Sequence, residues 1–320
     1  MRSSAVAQAQ NAHSNYRHAI LVVVYLLSIV VTTIVMANSA AGQDRGKKKE
    51  PPKPTTETLR TRDGISLRTF YFPSDQEKNA IPVILIHEWQ GQGSPYLKLV
   101  LALRDAGCAV LIPEFRGHGG SKEFTDVRGR TQTFNPATMG KRDIESILSF
   151  DLEEAKQFLK KKNNNGELNL NALVLIGVRE GSIFAAHFTS RDWRWPSIGR
   201  IKQGQDVKAI VMISPEKQIK GFSVDSVLTD INLIRLPIMV VAGDTSTDAP
   251  EANRIAKRIE SYKKRLGQGE AKGFKQEKLK TSLSGQALVN EESDLIPAVV
   301  SFVTENVTIS DSVNPWIERN

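Results

Sequence analysis

"ALVLIGVREGSIFAA", residues 172–186, decides the fold. The apolar run Leu173–Val178 has no polar interruption, as expected of a strand buried on both faces. It breaks into Gly177-Val178-Arg179-Glu180-Gly181 and passes at once into small and apolar residues at helical spacing. A buried strand, a tight glycine-flanked turn and a helix make the repeating unit of an α/β protein. At the centre of the turn stands Arg179, whose guanidinium is charged at every working pH.

Four more runs share this character: IPVILIHEW (81–89), CAVLIPEF (108–115), VKAIVMISP (207–215) and LPIMVVAGD (236–244). Continuous apolar runs mark the strands of a parallel sheet covered on both sides. Alternation is confined to ISLRTFYF (65–72), after the Asp63-Gly64 turn, and predicts a half-exposed antiparallel hairpin at a sheet edge. Helical periods lie between the runs. SPYLKLVLALRDAG (94–107) ends on Gly107 as a C-cap, and Ile144, Ile147, Leu148, Leu152, Ala155, Phe158 and Leu159 mark one face of a second helix. Ala252, Ile255, Ala256, Ile259 and Leu266 mark another, and SDLIPAVVSFVTENV (293–307) closes the domain with Ser293 as N-cap. Residues 121–142 carry no clear period and are expected to form a loop or small cap over the C-terminal edge of the sheet, where such folds bind ligands. The fold class is α/β, a doubly wound and mostly parallel sheet.

The chain has 320 residues, 40% hydrophobic and 24% charged, enough for one such domain. Its net charge of +8 is scattered and never interleaved with aromatics, which argues against nucleic acid as a partner. The single cysteine, Cys108, lies inside a buried run and forms no intrachain disulfide. Residues 19–36 hold no charge over a length that spans a bilayer core, and ANSAAGQ (37–43) follows with small residues suited to cleavage. A cleaved signal peptide and a retained membrane anchor both fit; the flanking charges leave the orientation open, and the cleavable-looking site favours export, to the cell envelope. GKKKEPPKPTTE (46–57) is a charged, proline-rich spacer. The expected organisation is therefore a signal or anchor at 1–42, a basic linker at 43–56, an α/β domain at 57–307 and a tail at 308–320.

VILIHEWQGQG (83–93), AGCAVLIPEFRGHGGS (106–121), LVLIGVREGS (173–182) and PIMVVAGDTSTDAP (237–250) occur in the order and spacing of an α/β-hydrolase. The His-Glu-Trp opening resembles the dienelactone-hydrolase branch, and the resemblance covers residues 57–307. It implies a nucleophile at the strand-to-helix turn, an acid after a later strand and a histidine near the end. At the nucleophile position stands Arg179, which cannot attack a carbonyl. Asp248 holds the acid position, with Asp244 a second candidate. Where the family shows His-Gly, this chain has Ser284-Gly285, and its five histidines, His13, His18, His87, His118 and His187, all lie earlier. A hydroxyl is no general base near neutrality, so two of the three triad positions are chemically empty.

These residues predict a catalytically inactive α/β-hydrolase-fold protein whose pocket is lined by His87, Glu88, Trp89, Arg179 and Glu180. Arg179 requires a carboxylate, from Glu88, Glu180 or Asp248. Glu88 is the expected partner, within about 4 Å. Arg179 and the backbone N–H groups of the turn would then receive an anionic ligand or a protein partner. The alternative is an active ester hydrolase with Ser182 as a displaced nucleophile and a non-standard base. His87 and His118 could approach Glu88 and Glu114, but without metal-ligand spacing they read as structural, and no metal or cofactor is expected. In DWRWPSIGR (192–200), Trp193 and Trp195 are expected to pack against the cap rather than to bind sugar or protein.

Overall fold

Five continuous apolar runs become the centre of one eight-stranded sheet. The computed structural model describes residues 52–126, 128–199 and 201–319; the apolar segment 19–36 lies outside them. Among the described residues no helix is long and apolar enough to cross a membrane. The strands are β1 (Thr55–Arg60), β2 (Ser66–Phe72), β3 (Ile81–Ile86), β4 (Cys108–Pro113), β5 (Glu123–Thr125), β6 (Thr131–Thr133), β7 (Leu173–Val178), β8 (Val207–Ile213), β9 (Gln218–Ile219), β10 (Phe222–Ser223), β11 (Ile238–Gly243) and β12 (Phe274–Leu279). In the main sheet they run β1-β2-β4-β3-β7-β8-β11-β12. The β1–β2 and β2–β4 pairs are antiparallel, and those from β4 through β12 are parallel.

Adjacent residues of a central strand feed opposite layers, because side chains alternate across a sheet. In β3, Ile84 and Ile86 join one core cluster while Val83 and Leu85 join the other. Helices cover both faces. They are α1 (Leu97–Asp105), α2 (Lys141–Ser146), α3 (Leu152–Asn164), α4 (Gly181–Arg194), α5 (Ile231–Arg235), α6 (Ala249–Leu266), α7 (Gly285–Glu291) and α8 (Leu295–Asn306). Ile255, Ala256 and Ile259 of α6 pack on the first cluster, and Val299, Phe302 and Val303 of α8 on the second. Each fully buried aliphatic side chain contributes about 1.5–3 kcal/mol.

Three details differ from the sequence reading. The strand β12 was hidden because FKQEKL is polar and half-exposed, as an edge strand can be. The helix cap expected at Ser293 falls one residue later, at Asp294. Within residues 121–142, β5 and β6 pair as a small antiparallel hairpin before α2 begins.

The segment after α8 returns along the domain and is held there. Asn163 Nδ2 donates to the Ile317 carbonyl at 2.9 Å, Asn169 Nδ2 to that of Asn314 at 2.8 Å and Asn171 Nδ2 to that of Pro315 at 3.1 Å. Arg319 pairs with the buried Asp206, which Lys156 also reaches at 2.9 Å and Lys202 at 3.2 Å. Asp192 joins the same cluster through Lys156 at 2.5 Å. The asparagines at the end of α3 and just beyond it thus serve as a polar ladder for the C-terminal segment.

Candidate functional site

The turn between β7 and α4 is as sharp as its sequence suggested. Arg179 holds a left-handed backbone with φ of 50°, uncommon for a residue with a side chain. Its N–H donates to the Ile213 carbonyl at 2.9 Å, and its own carbonyl accepts from Ser182 N–H at 3.0 Å. A Cβ on Gly177 would strike the Gly181 backbone, and one on Gly181 would strike the Ile86 carbonyl. Both glycines are therefore required by close backbone approach.

From this turn the Arg179 side chain makes two polar contacts. Nη1 donates to Ser284 Oγ at 2.9 Å, and Nη2 pairs with the Glu216 carboxylate. The expected partner was Glu88, and the structure assigns the ion pair to Glu216 instead. Glu216 follows β8, the immediate neighbour of β7, and its N–H faces the Arg179 carbonyl at 3.5 Å. Both side chains lie over the bare backbone of Gly285: a Cβ there would lie 2.5 Å from Glu88 Oε2 and 2.6 Å from Arg179 Cδ. Glu88 instead accepts from the Gln286 N–H at 3.3 Å. Burial raises the pKa of Glu88, and the positive charge of Arg179 partly offsets that. Glu216 shifts upward for the same reason, desolvation, against the same guanidinium.

Ser284 is the N-cap of α7, and the following Gly285 N–H donates to Ser214 Oγ at 3.0 Å. Asp248 lies just beyond β11 as the N-cap of α6, only 5% exposed, and neither carboxylate oxygen has a hydrogen-bond partner among the described residues. Asp244, the second candidate acid, is exposed. Ser182 is fully buried, and its hydroxyl donates to the Gly177 carbonyl at 2.9 Å. That hydroxyl is directed back into its own strand-turn unit.

On the other flank, His87 Nδ1 lies 2.8 Å from the Glu88 carbonyl and His118 Nδ1 3.0 Å from that of Arg116. A carbonyl beside Nδ1 fixes the proton there, so each Nε2 is a bare acceptor, and neither has a partner among the described residues. The rings sit 5.4 Å apart, and Trp89 packs edge-on against His118 at 4.5 Å. Burial lowers the pKa of both, that of His118 to about 4. Glu114, expected nearby, is engaged by Arg68 at 2.6 Å, Gly93 N–H at 3.0 Å and Gly120 N–H at 2.7 Å. Among the described residues no three His, Cys, Asp or Glu side chains converge as metal ligands would. Trp193 packs against the core with its Nε1 donating to the Val207 carbonyl at 2.9 Å, whereas Trp195 stays exposed.

The overall fold has counterparts among solved structures. Esterase Pf2001 of Pyrococcus furiosus superposes with a TM-score of 0.55 at 16% identity, over 80% of this chain and 92% of that one. The fold is that of the α/β-hydrolases. A CIB-like hydrolase from Thermoplasma acidophilum gives a TM-score of 0.51 at 18% identity, covering 79% and 99% of the two chains. Dienelactone hydrolase from Anabaena variabilis gives 0.53 at 13% identity, covering 80% and 97%. No protein-family model matches the sequence, and no curated protein matches it either.

On this fold, Arg179 occupies the turn between β7 and α4 and touches Ser284 directly. Of the expected pocket residues, Glu180 binds the Trp89 N–H through Oε2 at 3.1 Å, which ties the turn to the loop after β3. Glu216 was missed by the sequence reading. Its one signal was position: it follows the apolar run 207–215 and so emerges at the same sheet edge as Arg179.

Proposed function

We propose that this is a non-catalytic α/β-hydrolase-fold protein whose former active-site pocket binds rather than turns over. The observation that carries this reading is the Arg179 side chain, which spans from the nucleophile turn to Ser284 and Glu216. Hydrolysis needs a nucleophile at the turn and a base beside it. Here the turn carries a hydrogen-bond donor with no nucleophilic lone pair, and the group beside it is a hydroxyl that accepts from that donor. Ser182 offers no second route while its hydroxyl is buried against Gly177.

The apolar segment 19–36 supports placement of the domain outside the cytoplasm, as an exported or anchored protein. The test is direct. The purified full chain is expected to leave short-chain aryl esters at the uncatalysed rate, and turnover abolished by Ser182→Ala would overturn the reading. Fractionation of expressing cells, with protease added to intact cells, checks the location: protection of the domain would contradict export.

A further inference from the structure

We propose that the loop at the end of α4, residues 194–202, docks on an anionic lipid surface through Trp195, Ile198 and Ile201. The inference goes beyond the Arg179 turn and does not depend on whether that turn is catalytic.

The base of the loop is pinned. The Gln205 N–H donates to the Asp192 carbonyl at 2.9 Å, and the buried Asp192 carboxylate accepts from the N–H groups of Asp206 and Val207 at 2.7 and 3.1 Å. Lys202 turns inward to Asp206 at 3.2 Å, and its carbonyl accepts from Arg319 Nη2 at 2.9 Å. Beyond that base Ile198 and Ile201 exchange both backbone hydrogen bonds at 3.0 Å, and Gly199 between them is left-handed with φ of 59°. Such an opposed pair puts both side chains on one face of the hairpin.

The tip is apolar and open to solvent. Ile198 is 60% exposed, Trp195 46% and Ile201 45%, and Pro196, Ser197 and Gly199 are exposed among them. Three large apolar side chains within seven residues, held out from a base fixed by buried charges, differ from the single apolar residues scattered over ordinary surfaces.

Charge selects the occupant. The stretch RWPSIGRIK, 194–202, holds three cations and no acid. Lys202 is committed to Asp206, but the Arg194 side chain is 72% exposed and comes no nearer than 3.9 Å to Asp230. Arg194 ends α4, whose terminal carbonyls carry only about half a negative charge. Arg62 and Arg191 line a recess of about 180 Å³ beside Trp195; Glu153 opposes them there, while the Asp192 charge is already met by Lys156. Arg191 donates to Ser149 Oγ at 2.7 Å and pairs with no carboxylate among the described residues. Two copies of the chain joined through this tip would set cations against cations. An anionic bilayer accommodates both features, because Trp and Ile enter the boundary between headgroups and acyl chains while arginine meets the charged heads. The uncharged segment 19–36 gives the same chain a second means of meeting lipid.

The full chain is mixed with vesicles of phosphatidylcholine, with or without phosphatidylglycerol, whose acyl chains carry bromine as a contact quencher of tryptophan. Residues 19–36 contain no tryptophan, and the difference between wild type and Trp195→Phe isolates the Trp195 signal. Trp195 is expected to be quenched on the phosphatidylglycerol vesicles and not on phosphatidylcholine alone. Ile198→Ser/Ile201→Ser, at exposed positions that leave the base intact, should weaken this association on the order of tenfold. Arg194→Gln should weaken it about fivefold. Unquenched Trp195, equal quenching on both vesicles, or quenching kept in the isoleucine double variant would each overturn the inference. Glycerol phosphate, a headgroup without chains, should leave Trp195 emission unchanged; a change matching that on vesicles would assign the loop to a soluble anion and overturn it. So would Trp195 emission that shifts with protein concentration in the absence of vesicles but not in the isoleucine double variant, which would assign the tip to a second copy of the chain.

Discussion

Arg179 Nη1 donates to Ser284 Oγ at 2.9 Å, joining the two positions to which the sequence resemblance assigns the nucleophile and the base. The two side chains are thus coupled in space: the hydroxyl accepts the hydrogen bond that the arginine offers.

The first expectation follows from that coupling. Arg179→Ser alone and Ser284→His alone should give no ester hydrolysis, while the double variant, with Asp248 already in place, should gain it. A positioned base contributes roughly 10²–10⁴-fold. Aryl-ester kinetics on all three variants measure this, and activity in either single variant would show that the roles are assigned wrongly.

The turn itself should tolerate little. Gly177→Ala is expected to destabilise the fold by about 3 kcal/mol, because its Cβ meets backbone that cannot move without disturbing the start of α4. Glu216→Gln should cost far less, about 0.5–1 kcal/mol, since both partners of that ion pair are partly exposed and screened. Urea denaturation of both variants gives the comparison; equal losses would contradict it.

Acid should weaken the protein through its buried histidines. An unfolded histidine titrates near pH 6.5, whereas His118 in the fold is pushed down to about 4 by burial, with His87 shifted the same way. Between those values the unfolded chain binds more protons. Stability is therefore full above about pH 6.5 and falls as pH drops toward 4, by about 3 kcal/mol for His118. The upward-shifted carboxylates Glu88 and Glu216 act in the opposite sense, so the wild type must be compared with His118→Asn. The difference between their denaturation midpoints should change over this range; a constant difference would refute the assignment.

The C-terminal segment should matter most through Asp206. Three cations, Lys156, Lys202 and Arg319, surround Asp192 and Asp206. Asp206→Asn leaves them on one carboxylate and is expected to cost about 3–5 kcal/mol. Arg319→Ala leaves two of each sign and should cost less, while freeing the segment from its asparagine ladder. Thermal melts with limited proteolysis of residues 314–319 test both, and a larger loss for Arg319→Ala would reverse the argument.

The sequence by itself determined the fold. Continuous apolar runs and the glycines at 177 and 181 are local features, written into consecutive residues by the demands of strands buried on both faces and of one close backbone approach. It also showed that Arg179 and Ser284 cannot do the work of a serine and a histidine, since that follows from side-chain chemistry alone. The strand β12 escaped because an edge strand need not be apolar. Only the tertiary structure decided which acid answers Arg179. Glu88 and Glu216 are both glutamates that follow strands flanking β7, and nothing local separates them. In the fold Glu88 accepts from the N–H of Gln286, a residue far along the chain, while Glu216 takes the guanidinium. Charge pairing acts over a few ångströms across distant segments, and packing sets those distances.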